Sequence, residues 1–419
     1  MSPLFSCTNS YMNGRKVSKA YFNGTDLCQD AFSTPGSIPP GAVGTAIFEI
    51  DTRLYRRKPE SSFGLGTVDP TNKEFAIAIQ SYSTPDIGSG QPAIVIDWGD
   101  GTVFTGTSRG VDTRGTQIGT SGGNIFDHTY PTAGLYTVTF SNFSINGCSF
   151  SAISSGAFAF QSFAAQYQEC IKTVRFENNT WRFRRTTNNN NLFRDCTNLT
   201  SFTAPTTDPI GEAFRPGSGP EAGRFTITNP FENVSSLNSA FSRNTSLTSF
   251  PFIDTSVVTQ FIGTWSGCTS LSNFPNNLNF GKSINMLATF SQNAFTSWDC
   301  DGQISAINLA GCWENCSNLV QFPSGKFNGP RRALRYDSSG NVTSRYEYNR
   351  TAFSNTFRNC ALNAASIENI LVDLVQGGAT DIVLSLEGGT NAGASTWTAN
   401  AITAYNTLIS RGWSITRNA

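Results

Sequence analysis

The chain has 419 residues, a length that allows two or three domains with substantial cores. Its 29 Lys plus Arg balance 29 Asp plus Glu, so no net positive field draws in nucleic acid or anionic lipid, and no nucleic-acid partner is expected. Charged residues are only 14% of the chain, while Phe supplies 33 residues and Gly 38; this composition points to a rigid, turn-rich, mainly β protein.

The N-terminus, "MSPLFSCTNSYMNG", has no basic stretch, apolar core or small-residue cleavage site of the secretory kind. No window approaches the 18 or so apolar residues of a membrane span, so membrane insertion is not expected. A protein made in a cytoplasm, and released if at all by lysis, is the expectation. Ten Cys in a chain of this length are too sparse for a disulfide scaffold and read as small buried hydrophobes. Within residues 1 to 45, "YMNGRKVSKAYFNGTDL" carries two short alternating runs with Asn13-Gly14 and Asn23-Gly24 as turn signals, which predicts a small hairpin element. The Pro- and Gly-dense "STPGSIPPGAVG", residues 33 to 44, reads as a linker.

Residues 46 to 147 contain strand-like runs, "TAIFEI", "EFAIAIQ", "PAIVIDW" and "GLYTVTFSNFSI", separated by turn residues in the manner of a β-sandwich. "IDWGDGT" (96 to 102) ends a strand in a tight Asp-Gly turn, and "FDHTYPTAGLYTVTF" (126 to 140) enters another. Together these resemble the polycystic kidney disease (PKD) domain, an immunoglobulin-like module. Its W-G-D-G-T turn is filled here by Trp98, Gly99, Asp100, Gly101 and Thr102, and its second motif by His128, Tyr130, Gly134, Tyr136 and Val138. The resemblance implies spacing or binding rather than chemistry, and a structural role for His128 in fixing the turn. His128 is the only His in the chain, which argues against a His-based metal site. Asp97, Asp100 and Asp127 lie near this turn, but the D-x-[DN]-x-[DN]-G calcium loop is absent.

Residues 148 to 359 contain a repeat. "FRDCTNLTSF" (193 to 202), "FSRNTSLTSF" (241 to 250), "WSGCTSLSNF" (265 to 274) and "WENCSNLVQF" (313 to 322) share aromatic-x-x-[Cys/Asn]-x-x-Leu-x-x-Phe. "FSQNAFTSW" (290 to 298) is a copy short by one residue, a further copy is broken at "FRNCAL" (357 to 362), and the interval from 193 to 241 has room for two units. The later starts are about 24 residues apart, within the leucine-rich-repeat range. A spacing of three fits neither strand nor helix. It predicts that Trp265, Cys268, Leu271 and Phe274 form the inward-facing set of one coil, as do Trp313, Cys316, Leu319 and Phe322, with like residues stacking from coil to coil. Of Cys312 and Cys316, which flank Trp313, one is then a ladder position. The phrases "SLTSFPFIDTSVVTQFIGTWSGCTSLSNFP" and "CSNLVQFPSGKFN" resemble the BspA-type leucine-rich repeats of bacterial and viral surface proteins. An insertion at about 328 to 350, "NGPRRALRYDSSGNVTSRYEYNR", carries most of the local charge.

From 360 to 419 the pattern changes. "LNAASIENILVDLV" predicts a helix, "DIVLSLEGG" a strand, "STWTANAITAYNTLISRG" a helix closed by Gly412, and "WSITRN" a last strand. An α/β unit of this kind is the expected cap over the last repeat. It resembles endings attached to such repeats in bacteriophage virion proteins, and "NGRKVSKAYFNGTDL" resembles N-terminal segments of phage structural proteins.

No nucleophile elbow, P-loop, dinucleotide fingerprint or His-based metal motif occurs, so neither an enzyme nor a cofactor is expected, although a pair of carboxylates from distant positions leaves no motif. The resemblances imply a virion surface protein: a capsid decoration, a fibre or a tail adhesin, docked to other virion proteins by its N-terminal segment and oligomeric in the particle. A bacterial adhesin of the same repeat family is the alternative. If a glycan or protein of a host envelope is bound, the candidate residues are Arg331, Arg332, Arg335, Tyr336, Arg345, Tyr346 and Tyr348 of the insertion; the competing reading is a solvated loop, or one packed on a neighbouring subunit.

Overall fold

The structure is a computed structural model describing residues 11–12, 15–16, 21–22, 25–26, 43–57, 67–81, 94–106, 123–144, 148–151, 167–177, 193–203, 236–253, 255, 258–327, 333–336, 342–346 and 350–419. The described residues are mainly β, with two α-helices among them. Two minimal hairpins come first. Strands β1 (Tyr11–Met12) and β2 (Arg15–Lys16) flank positions 13 and 14, and β3 (Tyr21–Phe22) and β4 (Thr25–Asp26) flank positions 23 and 24. The Asn13-Gly14 and Asn23-Gly24 signals themselves lie outside the described residues. The expected linker lies outside the described residues except for its last two, which open the next strand.

That strand is β5 (Val43–Asp51), followed by β6 (Arg56–Arg57), β7 (Thr67–Val68), β8 (Glu74–Ser81), β9 (Ile94–Asp97), β10 (Val103–Gly106), β11 (Gly123–Thr129), β12 (Leu135–Ser144), β13 (Cys148–Ser151), β14 (Ile171–Glu177) and β15 (Ser201–Thr203). Two larger sheets result, one in the order β10-β9-β12-β5-β14-β15 and the other β11-β8-β13, with β6 and β7 paired separately. Alternation decides what faces inward: on β5, Ala46, Phe48 and Ile50 are buried, whereas Glu49 is exposed. Phe75, Ala76 and Ile77 of the smaller sheet join the same core.

The larger sheet extends past residue 147. β14 pairs antiparallel with β5 and parallel with β15, so Val138, Phe48, Val174 and Phe202 form one row across four strands. Phe202 is also the last aromatic of the first repeat copy, and its ring stacks on Phe250 at 5.7 Å. The core therefore passes without a break from the paired sheets into the repeats.

In the repeats, rings stack in two files. Phe193, Phe241, Trp265, Phe290, Trp313 and Phe357 follow one another at 5.9, 6.3, 5.3, 6.1 and 5.2 Å, nearly parallel at each step. Phe202, Phe250, Phe274, Trp298 and Phe322 form the second file. The files meet edge to face, as in Trp265 against Phe274 at 4.9 Å and 85°, the arrangement that ring quadrupoles favour. One expectation changes. Phe193 stacks directly on Phe241, so no unit stands between them in the file, and residues 204–235 lie outside the described residues. The copy at 357 is incomplete, as expected, because a helix begins at Ala364, but Phe357 is still a rung of the first file, with Cys360 and Leu362 buried beside it.

The spacing of three comes from successive turns. Thr264, Cys268 and Leu271 each donate a backbone N–H to the carbonyl three residues back, at 3.1, 3.3 and 2.9 Å. Alternate residues donate instead to the following coil, as in Phe241 to Thr264 (2.9 Å), Trp265 to Thr289 (2.9 Å), Phe290 to Cys312 (2.8 Å) and Trp313 to Thr356 (3.0 Å). On this segment of each coil the donors point to the following coil, whereas others, such as Ser272 to Thr248 and Val320 to Thr296, point back; the forward donors of the last coil therefore need acceptors. They come from the C-terminal unit: helices α1 (Ala364–Gly377) and α2 (Ala399–Ser410), and the parallel pair β18 (Val383–Leu386) and β19 (Ser414–Arg417). Phe357 donates to the Ser385 carbonyl at 3.2 Å and Asn359 to the Glu387 carbonyl at 3.0 Å, while Asn355 uses Ser385 Oγ at 3.0 Å. Asn363 and Thr398 cap the helices through their side chains. The insertion supplies one further hairpin, β16 (Ala333–Tyr336) with β17 (Val342–Tyr346).

Candidate functional site

Three places invite a functional reading: the W-G-D-G-T turn, the cysteine file and the insertion. At the turn, Asp100 Oδ2 lies 2.8 Å from His128 Nε2, and Asp100 Oδ1 accepts from Thr102 N at 3.0 Å and Thr102 Oγ1 at 2.6 Å. Desolvation raises the Asp100 pKa, but the hydrogen bonds from Thr102 and His128 outweigh it and hold the carboxyl at about 2. The His128 ring stacks on Trp98 at 5.0 Å and meets Tyr130 edge-on at 4.5 Å. Tyr130 is buried, donates its hydroxyl to the Trp98 carbonyl at 3.1 Å, and has its pKa pushed up by burial. Asp97 accepts from Gly99 N at 2.9 Å. Both oxygens of Asp100 thus accept hydrogen bonds at the turn, Oδ1 from Thr102 and Oδ2 at His128 of β11.

The cysteines of the stack have a different environment. Cys268, Cys316 and Cys360 each donate Sγ–H to the backbone carbonyl of the aromatic residue one coil back: Phe241 at 3.1 Å, Phe290 at 3.0 Å and Trp313 at 3.0 Å. Burial pushes the Cys268 and Cys316 thiols up to about 12, the reverse of what a nucleophile or metal ligand needs. Asn244 and Asn293 occupy the same file, fully or nearly buried, and among the described residues their amide N and O atoms have no hydrogen-bond partner.

A second file was missed in the sequence. Ala240, Thr264, Thr289, Cys312 and Thr356 each immediately precede a stacked aromatic. Thr264, Thr289 and Thr356 donate Oγ1–H to the carbonyls of Leu237 (2.9 Å), Phe261 (2.8 Å) and Leu309 (3.0 Å). Cys312 is therefore a member of this file and Cys316 of the other, so both cysteines flanking Trp313 are ladder positions. The signal was present: a small residue precedes every rung from 241 to 357.

Of the candidate binding residues, Arg331, Arg332 and Tyr348 lie outside the described residues. Arg335 and Tyr336 belong to β16, and Arg345 and Tyr346 to β17, with Tyr346 opposite Ala333 and Arg345 opposite Leu334 in the backbone register. The insertion is rooted in a buried polar cluster. Asp373 of α1 accepts three backbone N–H groups, from Gly325 (2.9 Å), Lys326 (2.7 Å) and Phe327 (3.0 Å), and Lys326 Nζ donates to the Cys300 carbonyl at 2.5 Å. Nothing local marks this cluster in the sequence, because Asp373 reads as one polar residue in an amphipathic helix.

Among the described residues, no three His, Cys, Asp or Glu side chains gather as a metal ion would require, and no helix is long and apolar enough to cross a membrane. No family model, curated protein or solved structure matches the chain.

Proposed function

We propose that this chain is a non-enzymatic surface protein of a bacteriophage particle. On this reading the N-terminal hairpins dock it to other virion proteins, the paired sheets are a PKD-like, immunoglobulin-like spacer, and the repeats are a leucine-rich solenoid of the BspA type. The insertion and the outer faces of the coils meet a host envelope glycan or protein, or neighbouring subunits. One observation carries the reading: the row from Val138 to Phe202 and the ring files beyond it give the paired sheets and the repeats one continuous core, which supports a rigid arm. Such an arm holds its loops at a fixed distance and orientation, which suits display. The side chains with chemical potential serve the fold instead, His128 in the turn and Cys268, Cys316 and Cys360 in the file.

Mass spectrometry and immunogold labelling of purified phage particles test this. Label on the particle is the expected result, and its position on head or tail assigns decoration or adhesion. Absence from particles, with the chain found on intact bacterial surfaces, overturns the virion reading in favour of a bacterial adhesin.

A further inference from the structure

The insertion leaves the stack through a turn that is held from two sides. Gly325 lies at φ +81°, and this left-handed residue brings the successive N–H groups of Gly325, Lys326 and Phe327 toward one point, a backbone concavity that suits an anion. The anion is the buried carboxylate of Asp373, whose oxygens lie 2.9, 2.7 and 3.0 Å from the three nitrogens. From the other side, Lys326 Nζ donates to the Cys300 carbonyl at 2.5 Å and to the Gly302 carbonyl at 3.3 Å, and the Phe327 ring lies flat on Phe322 at 5.6 Å. Phe327 is the last described residue before hairpin β16–β17.

The returning end meets the same C-terminal unit. Arg350 offers its carbonyl to the Val383 N–H of β18 at 2.7 Å, and Phe353 bridges Leu384 in parallel register. The ion pair of Arg350 with Asp381, at 3.7 Å, is exposed at both partners and adds little.

Two other side chains of α1 show what capping requires. In earlier coils the N–H groups of Phe250 and Trp298 donate to Asn273 and Gln321 of the next coil. The equivalent N–H of Phe322 donates to Ser366 Oγ at 2.8 Å, Ser366 Oγ donates in turn to the Val320 carbonyl at 3.0 Å, and Asn369 Nδ2 donates to the Phe322 carbonyl at 3.0 Å. Ser366 and Asn369 thus stand in for a missing coil. Asp373, one turn further along α1, reaches instead the turn from which the insertion departs.

We propose that Asp373 is the positioning residue of the insertion, and that α1, besides capping the coils, is the base that holds hairpin β16–β17 in place. A two-stranded hairpin by itself is marginal in water, so its persistence depends on how its ends are held. The contacts stand whatever the partner is; only the use of the hairpin for display rests on the proposed function.

Hydrogen exchange of the full chain, read by mass spectrometry over residues 333–336 and 342–346, tests this without any partner. In wild type these amides should exchange at least about tenfold more slowly than in an unstructured chain. Asp373→Asn keeps the side-chain shape and removes the charge. It should speed hairpin exchange by roughly tenfold or more, the consequence of losing charged hydrogen bonds, while the coil amides of Trp265 and Phe290 keep their protection. Ser366→Ala, on the same helix, should leave hairpin exchange within about twofold of wild type. Hairpin amides that exchange freely in wild type, that ignore Asp373→Asn, or that respond equally to Ser366→Ala overturn the proposal. So does an Asp373→Asn chain whose coils loosen as much as its hairpin, since Asp373 would then serve the cap alone.

Discussion

The turn at Gly99 and the turns of the coil stack use the same left-handed backbone and differ in what they tolerate. Gly99 sits at φ +82°, and a Cβ there would lie 2.4 Å from the Thr137 carbonyl oxygen of β12. In the coils, the left-handed position two residues before each stacked aromatic is held by Ser239, Gly263, Ala288, Gly311 and Asn355. A Cβ on Gly263 would meet nothing closer than Ser239 Oγ at 3.5 Å. The sheets are specified by single long-range contacts, each made once. The coils are specified by repetition, where any residue of the right size and polarity fits a file.

The largest effect expected within the stack comes from emptying a file. Trp265→Ala should lose about 3–5 kcal/mol in denaturant unfolding, the usual cost of a large cavity. Trp265→Phe should lose under about 1.5 kcal/mol, because Phe fills that file at 241 and 290 and the Trp265 indole N–H has no partner to forfeit. If the two variants were equally damaging, exchangeability within a file would be wrong. In the sheets, Gly99→Ala should cost at least about 3 kcal/mol, from left-handed strain plus the collision with β12, against about 1–2 kcal/mol for Gly263→Ala, which meets the left-handed strain alone.

A smaller effect should have the opposite sign. Asn244→Cys and Asn293→Cys replace unpartnered buried amides with a thiol that can donate to the preceding coil, as Cys268 does. Each should gain about 1–2 kcal/mol, measured by the midpoint of chemical unfolding. Part of the acid response should come from the turn between β9 and β10. Asp100 has a folded pKa of about 2, below its ordinary 3.8, so its contribution is complete above that ordinary value and is lost as pH falls through the folded one. Thermal melts of wild type between pH 5 and 2, on the order of the carboxylate range, should show this loss, and Asp100→Asn should start lower and flatten the limb.

What was legible in the sequence follows the same division. The ring files announced themselves because each is written several times at constant spacing, and the Trp98–Tyr130 cluster because its residues are unusual and closely grouped. The junction was not legible: Phe202 reads as the last residue of a repeat, and nothing near it says that it lies beside Val174 in a sheet shared with β5. Nor could spacing alone show that Phe193 stacks directly on Phe241 across an interval of two repeat lengths. The roles of Asp373 and Glu169 were hidden because each acts on residues far away in the chain; buried Glu169, beside β14, accepts from Thr197 and Asn198 of the first coil.

The central claim is that the paired sheets and the coils share one core through Phe202, and differential scanning calorimetry of the full chain with Phe202→Ala tests it most directly. A shared core predicts one cooperative transition in wild type that separates into two when the Phe202 ring is removed. Two transitions already present in wild type, with midpoints that Phe202→Ala leaves unchanged, would contradict it.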